Sequence, residues 1–283
     1  MSATRNPNLA PSQMRIRRRR QLFIRLYIVL FFLAVIVLGL AIFSGYKKVV
    51  IQTIIISGNA AVTSDDVLAI VNQDLSGRYF YLFSRGNSMI FPRSRIKADL
   101  LEQIKTIKDL DISWDNWQQI SIILTERKPH SVWCGKDISN PAPTCYFMDR
   151  DGYVYKETGF TGTIFVKNYG PLLLGQINSE NEENPVGSYF LSKQMYLQIF
   201  SLIDKLSEYG LRVSAVSFDE TDFKFVLEIG PTIIFNDEAS FDTSFSNLLV
   251  ALETKNLDLI NEAKTINYID LRYDSKIVIG RKK

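Results

Sequence analysis

Histidine and cysteine are nearly missing from this chain: in 283 residues His130 is the only histidine, and Cys134 and Cys145 are the only cysteines. A single imidazole and two thiols cannot complete a closed zinc site. Nor can they be arranged with the surrounding residues into a Ser/His/Asp or Cys/His nucleophile system. No phosphate-cradling GxxxxGK loop, no GxGxxG turn and no HExxH helix occurs. Acidic residues are mostly scattered singly, apart from "NSENEENP" (178–185), which reads as solvated loop. "DRDG" (149–152) is too short for a calcium loop and reads as a hairpin turn. These absences argue against an enzyme and leave no catalytic residue, cofactor or metal to expect.

A second absence is local. Residues 1–25 hold no Asp or Glu and seven Arg, at positions 5, 15, 17, 18, 19, 20 and 25. Removing those seven charges from the net +3 leaves −4 on the other 258 residues, so the basic character belongs to the leading tail. A mildly acidic remainder does not suit a nucleic-acid binder, whose domain itself carries the basic patch. Directly after the arginines, Leu26–Phe43 runs for 18 residues without a charge, about 27 Å of helix. It has no polar face, which predicts a transmembrane helix over residues 22–46. The arginine cluster precedes it and only Lys47 and Lys48 follow closely. The positive-inside rule then places a basic tail, 1–21, in the cytoplasm and residues 47–283 outside. The competing reading is a cleaved signal peptide, whose apolar run is shorter and ends in small residues.

Residues 47–133 read as strand, helix, helix, strand, strand. Val49–Ile56 is β-branched, and Gly58-Asn59 is a turn signal. Thr63 or Ser64 can cap a helix with Asp65 and Asp66 in its first turn and Val67, Ile70 and Val71 inward. The connector "GRYFYLFSRGNSMIF" (77–91) is rich in aromatics, read as core rather than as a ligand box. A second helix follows Pro92, with Ile96, Leu100, Leu101 and Ile104 at helical spacing. Two strands complete this part through "ISIILTERKPHSVW" (120–133).

Residues 134–283 read as a mixed sheet with two helices. Cys134 and Cys145 flank a loop containing two Pro and a Gly. A disulfide closing it would add roughly 3 kcal/mol on the chain-entropy model; the alternative is two free buried thiols. Asp151-Gly152 marks a hairpin, "TGTIFVKNYGP" (161–171) offers a short strand, and 178–188 is polar loop. Met195, Tyr196, Ile199, Phe200, Leu202, Ile203 and Leu206 form the stripe of an amphipathic helix that Gly210 stops. Three strands (211–218, 223–230, 232–236) precede a helix with Phe245, Leu248, Leu249 and Leu252 inward.

The last stretch, "YIDLRYDSKIVIG" (268–280), alternates strictly. Ile269, Leu271, Tyr273, Ser275, Ile277 and Ile279 fall on one face, and charged residues fall mostly on the other. Period-two alternation is what a half-buried strand requires. With nothing after it to cover it, this strand is expected at a sheet edge, where unpaired backbone groups invite another strand. Whether Asp274-Ser275 is a turn or a continuation of the strand stays open.

Four of these stretches, in this order, resemble the FtsQ/DivIB family of bacterial division proteins. They are the arginine-flanked anchor, "IIISGNAAVTSDDV" (54–67), "ISIILTERKPHSVW" with the following "FMDRDGYVY" (147–155), and "YIDLRYDSKIVIG". The resemblance implies a single-pass membrane protein whose exterior is a POTRA domain (β-α-α-β-β, 47–133) followed by a β domain (134–283) ending in an edge strand. It implies Gly58, Asn59, Glu126, Arg127 and Pro129 as POTRA motif residues. It implies a non-enzymatic scaffold at the division septum that binds small bitopic FtsB/DivIC-like and FtsL-like partners, joins other divisome components and helps regulate septal wall synthesis. The FtsB-like partner adds a strand beside the last strand, with Tyr273, Ser275 and Gly280 at matching positions; the residue pattern adds Ile277 and Ile279. After this Gly the family tends to carry an aromatic, where this chain has Arg281. Tyr273 either anchors the partner or fills the domain core. POTRA-like openings also occur in export proteins, so a membrane-anchored module assisting polypeptide export or envelope assembly is the alternative.

The anchor reading generates a direct test. Protease added to wall-stripped cells should digest residues 47–283 and spare the basic tail; full protection of the chain would contradict this orientation.

Overall fold

The computed structural model describes residues 11–135, 144–159, 170–175, 184–219, 222–236, 241–254, 259–273 and 276–282. The chain forms two compact units, Met1–Thr125 and Glu126–Lys283. The expected strand in 161–171 and most of the polar loop fall outside the described residues.

The first unit begins with α1 (Pro11–Ser44). Its segment Arg20–Ser44 is long and apolar enough to cross a membrane. Its large side chains, such as Phe31, Ile36 and Ile42, lie exposed, because no apolar face of the unit receives them. β1 (Thr53–Ser57) and α2 (Ser64–Leu75) follow. Thr63 caps α2: its Oγ1 accepts the Asp66 N–H at 3.2 Å, and its hydroxyl donates to the Asp66 carboxylate at 2.6 Å. The first contact satisfies one of the backbone donors that a helix start leaves open, and the second holds the Thr63 hydroxyl in place. A hairpin of β2 (Arg78–Tyr79) and β3 (Phe83–Ser84) comes next, then α3 (Arg93–Gln103). β4 (Ile107–Asn116) and β5 (Gln119–Glu126) are separated by two residues, a link that only antiparallel strands allow. The sheet order is β1-β5-β4, with β1 parallel to β5. Val67, Ile70 and Val71 of α2 and Ile96 and Leu100 of α3 pack on Ile107, Leu110, Ile120, Ile122 and Leu124 of the sheet. The helical stripes read from the sequence therefore meet the sheet in one core.

The aromatic connector departs from expectation. Phe80 and Tyr81 occupy the hairpin tip and are 87% and 94% exposed. Both have positive φ, 49° and 61°, and Leu82 N–H donates to Tyr79 C=O at 2.9 Å across the turn. Tyr79 pairs with Phe83, and positive φ at both central residues is the geometry of a type I′ turn. A left-handed conformation costs a residue with a Cβ roughly 1–2 kcal/mol, and here no buried packing offsets it.

The second unit opens with β6 (Ser131–Trp133). The sequence reading carried the first domain through residue 133, but these three residues pair with the second unit's strands. Arg127–His130 lie between β5 and β6, and Pro129 has no N–H to continue a ladder, so the chain changes sheets there. β7 (Tyr146–Met148), β8 (Val154–Glu157), β9 (Leu172–Leu174), α4 (Lys193–Glu208), β10 (Val213–Asp219), β11 (Asp222–Leu227), β12 (Thr232–Asn236), α5 (Phe241–Thr254), β13 (Ile266–Asp270) and β14 (Val278–Arg281) complete the described elements. Nine described strands form one mixed sheet, ordered β14-β13-β12-β11-β10-β9-β6-β7-β8.

One face of that sheet is the main core. Tyr196, Ile199, Leu202 and Leu206 of α4 and Phe241, Phe245 and Leu248 of α5 pack on Leu173, Phe223, Phe225, Ile233 and Phe235. β11 alternates strictly, with Phe223, Phe225 and Leu227 buried and the residues between them half-buried. On a separate cluster Leu172 and Leu174 meet Val132, Cys134 and Cys145. Cys134 and Cys145 are joined as a disulfide, their Cα atoms 4.2 Å apart. The bridge ties the end of β6 to the start of β7, an arrangement that two residues in register on adjacent strands make possible.

The last stretch is not one strand. β13 stops at Asp270, and β14 folds back on it antiparallel, pairing Ile269 with Ile279 and Tyr268 with Gly280. The alternation continues through the reversal, so it reads identically in a single strand and in a hairpin.

Candidate partner-binding edge

Asp270 ends β13. Its side chain accepts the backbone N–H of Arg272 at 3.1 Å, an Asx turn that draws the chain out of the strand. The Arg272 guanidinium holds both Asp270 oxygens, at 3.0 and 2.7 Å, and reaches Asp222 of β11 at 2.8 Å. Asp270 is buried, and its hydrogen bond to Arg272 holds its carboxyl below the usual carboxylate range. Leu271 N–H still donates to Ile234 C=O of β12 at 2.9 Å, so the turn leaves the sheet only after that bond.

Beyond the turn, Tyr273 is 47% exposed, and the Lys276 ammonium lies 4.7 Å over its ring. Tyr273 is therefore not a residue of the core. Asp274 and Ser275 lie outside the described residues. Ile277 and Ile279 are half-buried and pack against the main core. Gly280 sits under the ring of its cross-strand partner: a Cβ there would overlap Tyr268. Tyr268 thus covers the surface that the glycine leaves bare, a known way of stabilising an edge glycine. Arg281 is exposed and pairs with Glu262 at 3.4 Å.

The backbone of β14 faces two ways. Lys282 N–H donates to Thr265 C=O at 2.7 Å. Donor directions alternate along a strand, and the irregularity in this pair falls on β13, between Ile266 and Tyr268. Gly280 and Val278 therefore also face β13, while Ile279 and Arg281 turn their N–H and C=O groups away from it. Among the described residues no strand lies beyond β14. The opposite end of the sheet differs. There, Val154 N–H of β8 donates to Ser188 C=O at 2.9 Å and Gly187 N–H to Val154 C=O at 2.8 Å, so a loop covers that edge.

The other sequence-predicted residues lie apart from this edge. Gly58 has φ 81° and packs directly on the Leu124 backbone, with no space for a Cβ. Asn59 donates to Val62 C=O at 3.0 Å and to Ser64 Oγ at 3.2 Å. These two belong to the first unit, whereas Glu126, Arg127 and Pro129 belong to the second. Arg127 makes an ion pair with the buried Asp149 and lies 3.9 Å over the Tyr153 ring. Asp149 also accepts the N–H groups of Asp151 and Tyr153, at 2.8 and 3.1 Å, which fixes the β7–β8 turn. His130 Nδ1 is 3.2 Å from the Tyr196 hydroxyl, and burial lowers the His130 pKa. Burial likewise raises that of Tyr196, whose hydroxyl is 2.8 Å from Ser131 Oγ. This network braces β6 against α4. Among the described residues no group of three or more His, Cys, Asp and Glu is placed to hold a metal.

Sequence reasoning missed Asp270, Arg272, Asp222, Tyr268 and Glu262. Asp270-x-Arg272 was a readable Asx-turn signal; the contacts with Asp222 and Glu262 depend on which strands become neighbours.

No protein-family model matches the chain, and no curated protein matches it.

The clamp has a measurable cost of removal. Arg272→Ala leaves the buried Asp270 carboxylate without its charged partner and should destabilise the protein by about 2–3 kcal/mol near neutral pH. Because the Asp270 pKa is lowered in the fold, its contribution is present above its unfolded value of about 3.9 and is lost as pH falls through the depressed value. Urea melts of wild type and variant should therefore converge in acid; a pH-independent difference would contradict the assignment.

Proposed function

We propose that the chain is a non-enzymatic scaffold of the FtsQ/DivIB type, anchored by residues 22–46, with both folded units outside the membrane at the division septum. The observation that carries this reading is the edge of β14. It offers outward-facing backbone donors and acceptors at Ile279 and Arg281 beside an exposed Tyr273. A strand from a small FtsB/DivIC-like partner, itself associated with an FtsL-like protein, adds to that edge by main-chain hydrogen bonds. The first unit's order of strand, helix, helix, strand, strand, with sheet order β1-β5-β4, supports reading it as a POTRA domain. Main-chain pairing makes little demand on sequence, so specificity comes from flanking side chains. Tyr273 supplies a large area at low rotamer cost. Arg281, where the family tends to carry an aromatic, instead keeps the end of β14 tied to Glu262.

The scaffold role follows from what the edge can do. It offers no reacting group, but it positions another chain in register with a sheet anchored by a large core. Holding the partners in one geometry is how such a protein helps regulate wall synthesis without chemistry of its own.

Binding between the full-length protein in nanodiscs and the FtsB-like partner encoded in the same genome tests the proposal. Arg281→Pro removes an N–H that faces the open edge and leaves the donors toward β13 in place, so binding should be lost while folding persists. Arg281→Ala, which loses the same ion pair, is the control and should bind. Tyr273→Ala should weaken binding by about 2 kcal/mol, roughly 30-fold in affinity. Unchanged binding by both the Pro and the Tyr273 variants would place the docking surface elsewhere.

A further inference from the structure

A second surface lies beside the end of α1. The β2–β3 hairpin is tied to that end: Ser84 N–H donates to Ser44 Oγ at 2.7 Å, and Asn87 Nδ2 donates to the Ser44 carbonyl at 3.1 Å. Val49 continues the attachment by accepting from Ser88 at 2.9 Å. The exposed Phe80 and Tyr81 lie four and three residues before the tethered Ser84, and the exposed Met89 and Ile90 directly follow the tethered Asn87 and Ser88. The surrounding chain is basic. From Leu75 to Ala98 there is no acidic residue; of the basic residues there, Arg95 and Lys97 are ion-paired with Asp74, Asp99 and Asp109, which leaves Arg78, Arg85 and Arg93 to face the surroundings of the hairpin. Tyr46, Lys47 and Lys48 follow the helix directly. Aromatic rings with basic residues around them are the composition of a membrane–water interface, where the rings sit at headgroup level and the cations meet anionic lipid.

We infer that the Phe80–Tyr81 tip, with Met89 and Ile90, inserts into the leaflet from which α1 emerges, giving the first unit a second hold on the bilayer. Three observations choose lipid over a protein partner: the hydrogen-bonded continuity with α1, the basic residues Arg78, Arg85, Lys47 and Lys48 flanking the hairpin and the helix end, and a strained aromatic turn with no packing of its own. Asn-Gly would fit the two positive-φ positions more easily, so the aromatics there are not explained by the turn. The second hold fixes the orientation of the first unit on the membrane, which a single helix leaves free to swivel. The inference rests on α1 crossing the membrane, as proposed above.

The test uses single-cysteine labels on the full-length protein in nanodiscs of phosphatidylcholine and phosphatidylglycerol. The two native cysteines are joined and no free one is present, so an introduced thiol is labelled alone. An environment-sensitive fluorophore on Tyr81→Cys should show blue-shifted emission and quenching by nitroxide lipids. The same label on Glu102→Cys, at the opposite end of α3 from the connector, should instead be quenched by aqueous iodide. Leu33→Cys, in the middle of the apolar helix, reports the span itself. Lipid quenching at 33 with water-like behaviour at 81 overturns the insertion and leaves the anchor standing. Loss of lipid quenching at 33 overturns both. A second variant, Phe80→Asn with Tyr81→Gly, suits the turn and keeps the fold. A label on Leu82→Cys in that background should move from lipid to water, and unchanged lipid quenching there would overturn the role given to the aromatic tip.

Discussion

The Asp270–Arg272–Asp222 clamp decides how the large sheet ends. The alternation from Ile269 to Ile279 is equally compatible with one long strand, and the Asx turn at Asp270 is what draws the chain out of β13. With it, β13 closes at Asp270 and its outer side is occupied by β14. The exposed edge is then the four-residue Val278–Arg281. The clamp is electrostatic, with a buried carboxylate held by a guanidinium that also reaches β11. It therefore ties the position of the turn to strands far from it in sequence.

The two ends of this sheet are managed differently. At β8 a loop supplies backbone partners to Val154, which is one of the ordinary ways a protein blunts an edge. At β14 the devices that stabilise the hairpin act from within: Tyr268 over Gly280, Arg281 on Glu262 and the two isoleucines on the core. None of these contacts uses the outward backbone groups of Ile279 and Arg281. A short strand, paired with β13 on one side and braced by these contacts, suits the proposed strand addition, because little ordering of its own backbone remains to be done.

Much of this was legible because local chemistry and burial agreed. The capping Thr63, the apolar stripes of α2 and α4, the Asp151-Gly152 turn and the strand at β11 each reflect a pattern enforced over a few residues. The failures share one cause. A period of two survives a hairpin reversal, so the pattern through Ile279 could not separate one strand from two. Ser131–Trp133 reads as the end of the preceding strand because its apolar character is the same in either sheet. Phe80 and Tyr81 look like core because aromatic residues usually are, and only their position at a tight turn puts them outside. At the candidate edge the residue pattern named Ile277 and Ile279, and the family resemblance named Tyr273, Ser275, Gly280 and the position of Arg281. Their bracing by Asp222, Tyr268 and Glu262 was not readable, since it requires knowing that β11, β13 and β14 converge.

Of the two proposed surfaces, one is a strand edge on the second unit, and the other is a pair of aromatic rings beside the apolar helix on the first. The central claim concerns the edge, and residue-resolved amide hydrogen exchange on the partner-free protein tests it most directly. The account predicts that Gly280 and Lys282, whose donors face β13, are protected, while Ile279 and Arg281 exchange at close to the rate of open chain. Protection of Ile279 and Arg281 in the free protein would show that the edge is already paired and would contradict the account.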